Sequence, residues 1–367
     1  MALCVLGIGT VCALGSGIDN FKLGLKAERQ PNIVQMPVKR AHGAFNLPVY
    51  QALVEGLDRF IPRRALRRID GFAKMALLST HLAIEDAGIE FEDKSRVGII
   101  VGSGNGPIRT TFSLLDGIID YGDHCASPIH FANSLHNALA SQISIFLNIN
   151  GPCTTITCFN HTVANVLLTA QNWLNVGMVD YIIAGLGDEY CDVLGYSAVA
   201  YGAGNSDSIQ PFNFKTCTFL PGEGYVTYLL TRDSEKSMYG NIEKININKP
   251  VSEIEEEILS DSKAVLLSAK GIISENESFE KIDLTNKKVA AYSPLYGSMP
   301  VTAAFDISTA LVSLKDKVIY PSPQNEANSD EGMNIINQKI KLDKNSSITC
   351  IELAEKDSFN IYVLKGV

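Results

Sequence analysis

The chain has 367 residues, 46% of them hydrophobic, and a formal net charge of −9. That is apolar material for one large or two fused cores, and an acidic balance without a long basic run excludes a nucleic-acid surface, which needs clustered Lys and Arg. Eight cysteines show no CxxC spacing and no His/Cys ligand cluster, so reduced, mostly buried thiols in a cytoplasm and no metal site are expected. The apolar start is short and lacks the positive flank of a signal peptide, and no stretch reaches the roughly 20 apolar residues of a membrane span.

Residues 3–11 form a β-branched apolar run ended by glycines, which predicts a fully buried strand. Helical periodicity over 68–88 stops at Gly88, and 96–104 gives a second buried strand. A helix over 162–176 leads into a strand over 181–187, and 224–231 closes the first half as another strand. After a boundary near residue 235, the pattern repeats more weakly: strands at 264–268 and 288–293, a helix over 302–314, and strands at 348–353 and 360–364. Residues 236–280 are more polar, and 321–345 read as a loop. Apolar strands alternating with helices predict an α/β protein with both sheet faces covered, in halves of 1–235 and 236–367.

Several motifs occur in order: Gly7-Ile-Gly-Thr-Val-Cys-Ala-Leu-Gly, Arg96-Val-Gly-Ile-Ile-Val-Gly-Ser-Gly-Asn-Gly, Gly151-Pro152, Ala184-Gly-Leu-Gly-Asp-Glu, and Gln210-Pro-Phe-Asn followed by Pro221-Gly-Glu-Gly. The ordered set resembles the β-ketoacyl synthases of fatty-acid and polyketide assembly, from Ala2 to about Asp233. The resemblance implies a thiolase-like fold: two pseudo-repeated βαβ halves packed as a five-layered α-β-α-β-α core.

In active members of that family a cysteine at the amino end of a buried helix is the nucleophile, assisted by two histidines from the second half. Here the cysteine slot falls on Asn160, an amide suited to capping the helix but not to nucleophilic attack. The first histidine slot carries Lys270, in Ala269-Lys270-Gly271. In Ser293-Pro-Leu-Tyr-Gly-Ser-Met-Pro, Ser293 replaces the family's lysine and Ser298 its second histidine. The glycine-rich oxyanion loop corresponds to Ala354-Glu-Lys-Asp. The six histidines end at His161, so no shift of alignment restores the pair. Condensation needs nucleophile and polarising donors together, and the expected catalytic set is empty.

The resemblance then points to the chain-length factor of type II polyketide synthases, a non-condensing subunit paired with an active ketosynthase α subunit. Its slot usually carries glutamine, from which Asn160 departs. The implied partners are that ketosynthase, an acyl carrier protein and the growing polyketide chain, with aromatic polyketides the favoured product class. No cofactor is implied beyond the phosphopantetheine-bound acyl chain that the partner and carrier supply. A length-setting tunnel at the heterodimer interface would use Ile108, Phe112 and Leu115, which fall at helical spacing, with His130 and Phe131 from a dimer-facing loop. The same spacing suits a plain core stripe.

Arg63, Arg64, Arg67 and Arg68 form the dense basic cluster of an acidic chain. They fit either a solvated helix face or a docking site for an acidic carrier protein or a partner's carboxylates. Cys158, two residues before the slot, is either a buried structural thiol or a replacement nucleophile for acyl transfer or hydrolysis. His161 is either a locally packed side chain or its base. A scaffold subunit without length control also remains open.

Overall fold

The structure, a computed structural model, describes residues 2–40, 43–204, 206–213, 215–254, 261–323 and 333–367. In the first half, β1 (Leu3–Cys12), β2 (Gly15–Ser16) and α1 (Ile18–Leu25) precede a hairpin of β3 (Ile33–Arg40) and β4 (Gly43–Tyr50). Then come α2 (Gly71–Ala87), β5 (Val97–Gly102), α3 (Ile108–Tyr121), α4 (Pro128–Ser134) and α5 (Ala138–Leu147). The half ends with β6 (Cys153–Ile156), α6 (Thr162–Asn175), β7 (Tyr181–Asp188), α7 (Asp192–Ala200) and β8 (Gly224–Thr231).

The second half runs β9 (Gly240–Pro250), β10 (Ser262–Leu267), α8 (Ile273–Phe279), β11 (Lys288–Ala290), α9 (Thr302–Asp316) and β12 (Val318–Ile319). It closes with β13 (Asn334–Ile335), β14 (Ile340–Lys341), β15 (Ser347–Glu355) and β16 (Ser358–Lys365).

The strands order as β13-β11-β10-β15-β16-β9-β1-β8-β7-β5-β6, and the two wings have one pattern. In the first, β6, β5 and β7 are parallel, and β8 and β1 add antiparallel. In the second, β11, β10 and β15 are parallel, and β16 and β9 add antiparallel. A helix follows the corresponding strand in each: α6 after β6, α9 after β11. The wings join where Leu3, Cys4 and Val5 pair with Ile242, Asn241 and Gly240.

Alternation along each strand sorts side chains into layers. From the first wing, Ile100, Ala184, Leu186, Val226 and Tyr228 share a core with α6 and α9; from the second, Ala264, Leu266, Ile348, Cys350 and Tyr362 enter that same core. The opposite faces form two outer cores. Val97, Ile99, Val101 and Ile183 meet α2 and α5, while Val265, Leu267, Ile351 and Phe359 meet Phe279 of α8. Helix, sheet, paired helices, sheet and helix make the five layers that the resemblance implied.

The structure corrects several sequence expectations. Gly7 and Gly9 do not end β1; they lie inside it because α2 crosses there, and a Cβ on Gly9 would come within 1.9 Å of the Ser79 carbonyl oxygen. Helix α2 starts at Gly71 rather than 68, since the Asp70 side chain caps it by accepting from Ala73 N–H. The polar stretch after 235 contains the eleven-residue β9, held by pairing to β16 despite its composition. Of the loop expected over 321–345, residues 324–332 lie outside the described residues, and β13 and β14 interrupt the rest.

Gly9→Ala is expected to lower stability by about 1–3 kcal/mol, the usual cost of overpacking, because backbone rather than a flexible side chain opposes the methyl group. Urea unfolding followed by far-UV circular dichroism checks this.

Candidate functional site

The ends of β5, β7 and α7 and the loops before α8 and α9 surround a cavity of about 510 Å³. Its walls are largely apolar, with Leu194, Ala198, Phe219, Ile273, Met299 and Pro300 among them. Asn105, Asn160, Asp188, Glu189, Lys270 and Ser298 supply its polar lining. The wings meet closely here: a Cβ on Gly104, just beyond β5, would come within 2.2 Å of the Pro300 ring, so this position needs glycine.

The three slots named from the sequence come together and hold one another. Lys270 Nζ donates to Asn160 Oδ1 at 3.2 Å, and Ser298 Oγ donates to the Lys270 carbonyl at 2.8 Å. Asn160 Nδ2 donates to the Ala354 carbonyl at 3.4 Å, and Asn360 Nδ2 donates to the Asn160 carbonyl at 2.9 Å. Ser293 Oγ ties the same segment by donating to the Ala269 carbonyl at 2.6 Å.

Asn160 does not cap α6, contrary to expectation. It sits in a short 3₁₀ turn, Phe159–His161, and its amide is committed to Lys270 and Ala354 across the wing boundary. Phe159 just before it has φ of 45°, which turns the chain sharply between β6 and α6. The Ala354-Glu-Lys-Asp segment is the tight connection of the β15–β16 hairpin, with Glu355 paired to Ser358 and Asp357 in the left-handed region.

Behind Lys270 lies a set of buried acids that the sequence reading missed. Glu352 is fully buried; its Oε2 accepts from Tyr362 OH at 2.9 Å and from Asn360 Nδ2 at 3.3 Å, while Oε1 is buried without a hydrogen-bond partner. Burial pushes Glu352 up to about 8, with the Lys270 charge opposing the rise. Asp306 in α9 accepts from Ser268 Oγ at 2.6 Å and from Tyr296 OH, and burial pushes it up to about 7. The available signal was a charged residue inside an otherwise apolar strand or helix.

A second acidic group adjoins the cavity. Asp188 accepts from Ser103 Oγ and Asn105 N–H, and burial raises it to about 6. Burial also raises Glu189, to about 7, and Glu223. Arg109 lies between these two carboxylates at 3.9 and 3.5 Å.

The remaining named residues lie elsewhere. Ile108, Phe112 and Leu115 are on α3, outside the cavity lining, with Leu115 42% exposed and Ile119 on the same helix 77% exposed. His130 and Phe131 are exposed on α4, a short helix capped by Ser127 rather than a loop. Ile129, Leu135, Ile145 and Phe159 extend this exposed apolar surface over α4, α5 and the turn after β6. The four arginines are exposed around a 3₁₀ turn, not on a helix face, and Arg63 pairs with Asp58 at 2.9 Å.

Cys158 is exposed rather than buried, because it lies in the exposed connection between β6 and α6 rather than in either element. Only Cys4, Cys12, Cys191 and Cys350 are buried, so the mostly-buried expectation fails for thiols on the outer strand and turns. His161 Nε2 is 3.6 Å from Glu355 Oε1. Among the described residues, no group of three His, Cys, Asp or Glu could hold a metal, and no helix is long and apolar enough to cross a membrane.

With burial-raised acids, the folded state binds more protons than the unfolded chain between about pH 4 and 8. Stability from these groups is full below the unfolded carboxyl range and is lost as pH rises through their folded values. The urea midpoint is therefore expected to fall between pH 5.5 and 8.5, and Glu352→Gln to flatten the upper part of that fall. A midpoint that rises over this range would contradict the assignment.

A family model for the β-ketoacyl synthase N-terminal domain matches residues 2–236, more than half the chain. Among curated relatives, 3-oxoacyl-[acyl-carrier-protein] synthase 2 of Vibrio cholerae is 25% identical over 150 residues, 40% of this chain and 36% of the relative. Nodulation protein E of Rhizobium sp. is 24% identical over 226 residues, 60% of this chain and 55% of the relative. The matched regions thus span about a third to just over half of these relatives.

Among solved structures, the ishigamide ketosynthase/chain length factor superposes with TM-score 0.84 at 17% identity, covering 100% of this chain and 99% of the other. The ketosynthase ApeO in complex with its chain length factor ApeC, from Xenorhabdus doucetiae, gives 0.78 at 14% identity, covering 100% and 98%. At these identities the structural likeness establishes the thiolase-like fold. The family match through the first wing, together with that fold over the whole chain, makes this protein a member of the β-ketoacyl synthase family.

Proposed function

We propose that this chain is the non-condensing subunit of a ketosynthase heterodimer and that it sets the length of the acyl chain built there. The observation that carries the reading is the meeting of Asn160, Lys270 and Ser298 at one cavity, hydrogen-bonded to one another where a nucleophile and two imidazoles would be needed. An amide, an ammonium bonded to it and a hydroxyl turned onto a backbone carbonyl supply no thiolate and no imidazole.

Partnership is supported by the exposed apolar surface running from Leu115 and Ile119 through Phe131 and Leu135 to Phe159. Exposed apolar residues gathered on elements that pack together, α3 on α4 and α4 on α5, mark an interaction face. Beside it, β6 ends the described sheet with only its inner edge paired, to β5. Similar solved structures include a ketosynthase with its chain length factor and an acyl carrier protein in complex with its ketosynthase, so those are the partners assigned here. Residues 1–235 carry the whole interaction face in this reading, and 236–367 complete the cavity. Arg64, Arg67 and Arg68 offer a weaker docking surface for the acidic carrier.

Length control would be steric. The growing chain, thioester-bound to the partner or carrier phosphopantetheine, runs along α3 until a side chain such as Phe112 blocks it. One further two-carbon unit then overpacks the tunnel at about 1–3 kcal/mol, enough to bias release. A separate acyl transferase using Cys158 has less support: that thiol is exposed, outside the cavity lining, and its neighbour His161 faces Glu355.

Co-expression with the ketosynthase encoded beside its gene, followed by addition of malonyl-loaded carrier protein and mass analysis of products, tests the proposal. Products are expected to require both chains and to lengthen by about one two-carbon unit or more in Phe112→Ala. A ketosynthase that makes the same products alone would overturn it.

A further inference from the structure

The lining that removes condensation places a different nucleophile in the cavity. Lys270 is 4% exposed, lines the cavity, and reaches Asn160, another lining residue. An amine held among apolar walls is the chemical type that condenses with carbonyl compounds, provided a nearby group can take its proton and return it. Glu352 fits that need by way of a bridging water: it is fully buried, and one carboxylate oxygen is left without a hydrogen-bond partner, a seat for such a water.

We propose that this cavity binds neutral, apolar ketones and that Lys270 Nζ forms a reversible imine with them. The Lys270 ammonium passes one proton through that water to Glu352, and the freed amine adds to the carbonyl carbon, breaking the C=O π bond and giving, after its proton moves to the oxygen, a carbinolamine. Glu352 returns the proton to the departing hydroxyl. Water leaves, and the C–N double bond forms as a protonated imine. Atoms and charge balance without an oxidant, reductant or metal.

The lining also sets the ligand class. Asp188 and Glu189 set two carboxyl groups against the single Lys270 amine in the lining, a balance that favours a neutral ketone over a carboxylate ligand. Leu194, Ala198, Phe219 and Met299 cover an aliphatic chain, and 510 Å³ accommodates one of medium length. This chemistry requires only the full chain and stands apart from the partnership proposed above.

The test incubates the full-length protein with 2-heptanone and sodium cyanoborohydride, which reduces an imine to a stable secondary amine, and maps the adduct by peptide mass. Selective modification of Lys270, at least about tenfold faster than surface lysines, is expected, and heptanoate should compete poorly. Glu352→Gln is expected to slow labelling at Lys270 about tenfold and leave surface labelling unchanged, while urea should erase the selectivity. Uniform labelling of surface lysines with Lys270 unmodified overturns the proposal. Selective labelling that Glu352→Gln does not change overturns the part given to Glu352.

Discussion

Helix α9 has no solvent face. Thirteen consecutive residues, Thr302 to Leu314, are buried between the two wings, so every polar group among them must find a partner inside the protein. The helix meets that constraint largely through its own backbone: Ser308 and Thr309 donate to the Ala304 and Phe305 carbonyls, and Thr302 donates to that of Met299, while the Ser313 hydroxyl is left without a partner. Asp306 cannot be satisfied in this way, because a carboxylate accepts but does not donate. Ser268 and Tyr296 supply its donors, and they fix the loops after β10 and β11 against the helix. Those loops present Lys270 and Ser298. The cavity is thus shaped by a requirement of the middle layer.

The polar residues around the cavity compensate one another. A lysine buried alone would carry a large desolvation cost. Here it has an amide oxygen in front of it and the Glu352 and Asp306 carboxyls within electrostatic reach. Glu352 in turn depends on Tyr362 and Asn360, and Asn360 also holds the Asn160 carbonyl. Lys270, Asn160, Asn360 and Glu352 therefore form a connected polar network rather than isolated buried groups. Connection of this kind is the form in which buried charge is tolerable, and Glu352 Oε1 is the one carboxylate oxygen in this network that it leaves without a partner.

How much was legible in the sequence varied with the kind of signal. Buried strands and the two middle helices were readable because continuous apolar runs report burial directly; α6 and α9 begin where their periodicity placed them. Strand β9 was not, since its Glu, Asn and Lys residues hide a segment stabilised by hydrogen bonds to β16. Motif spacing located Asn160, Lys270 and Ser298, and the fold brought them together. It carried no information on Glu352 or Asp306, whose roles arise from long-range packing across β15, β16 and α9. Nor could it show that Phe159 adopts a left-handed backbone or that Cys158 is exposed, because that geometry follows from joining β6 to α6 in few residues.

The cavity and the exposed apolar face make independent demands on the chain. The cavity lies where the wings meet and depends on the second half for Lys270, Ser298, Met299 and Pro300. The apolar face is built entirely from α3, α4, α5 and the turn after β6, all before residue 162. They adjoin at β6 and the turn carrying Asn160, whose neighbour Phe159 is 66% exposed while Asn160 itself is tied inward to Lys270 and Ala354. A partner covering Phe159 would thereby press on the one turn that also holds the cavity's amide. Phe159 and Asn160 share one peptide link, so a shift of the backbone at the exposed ring would be felt at the cavity's amide.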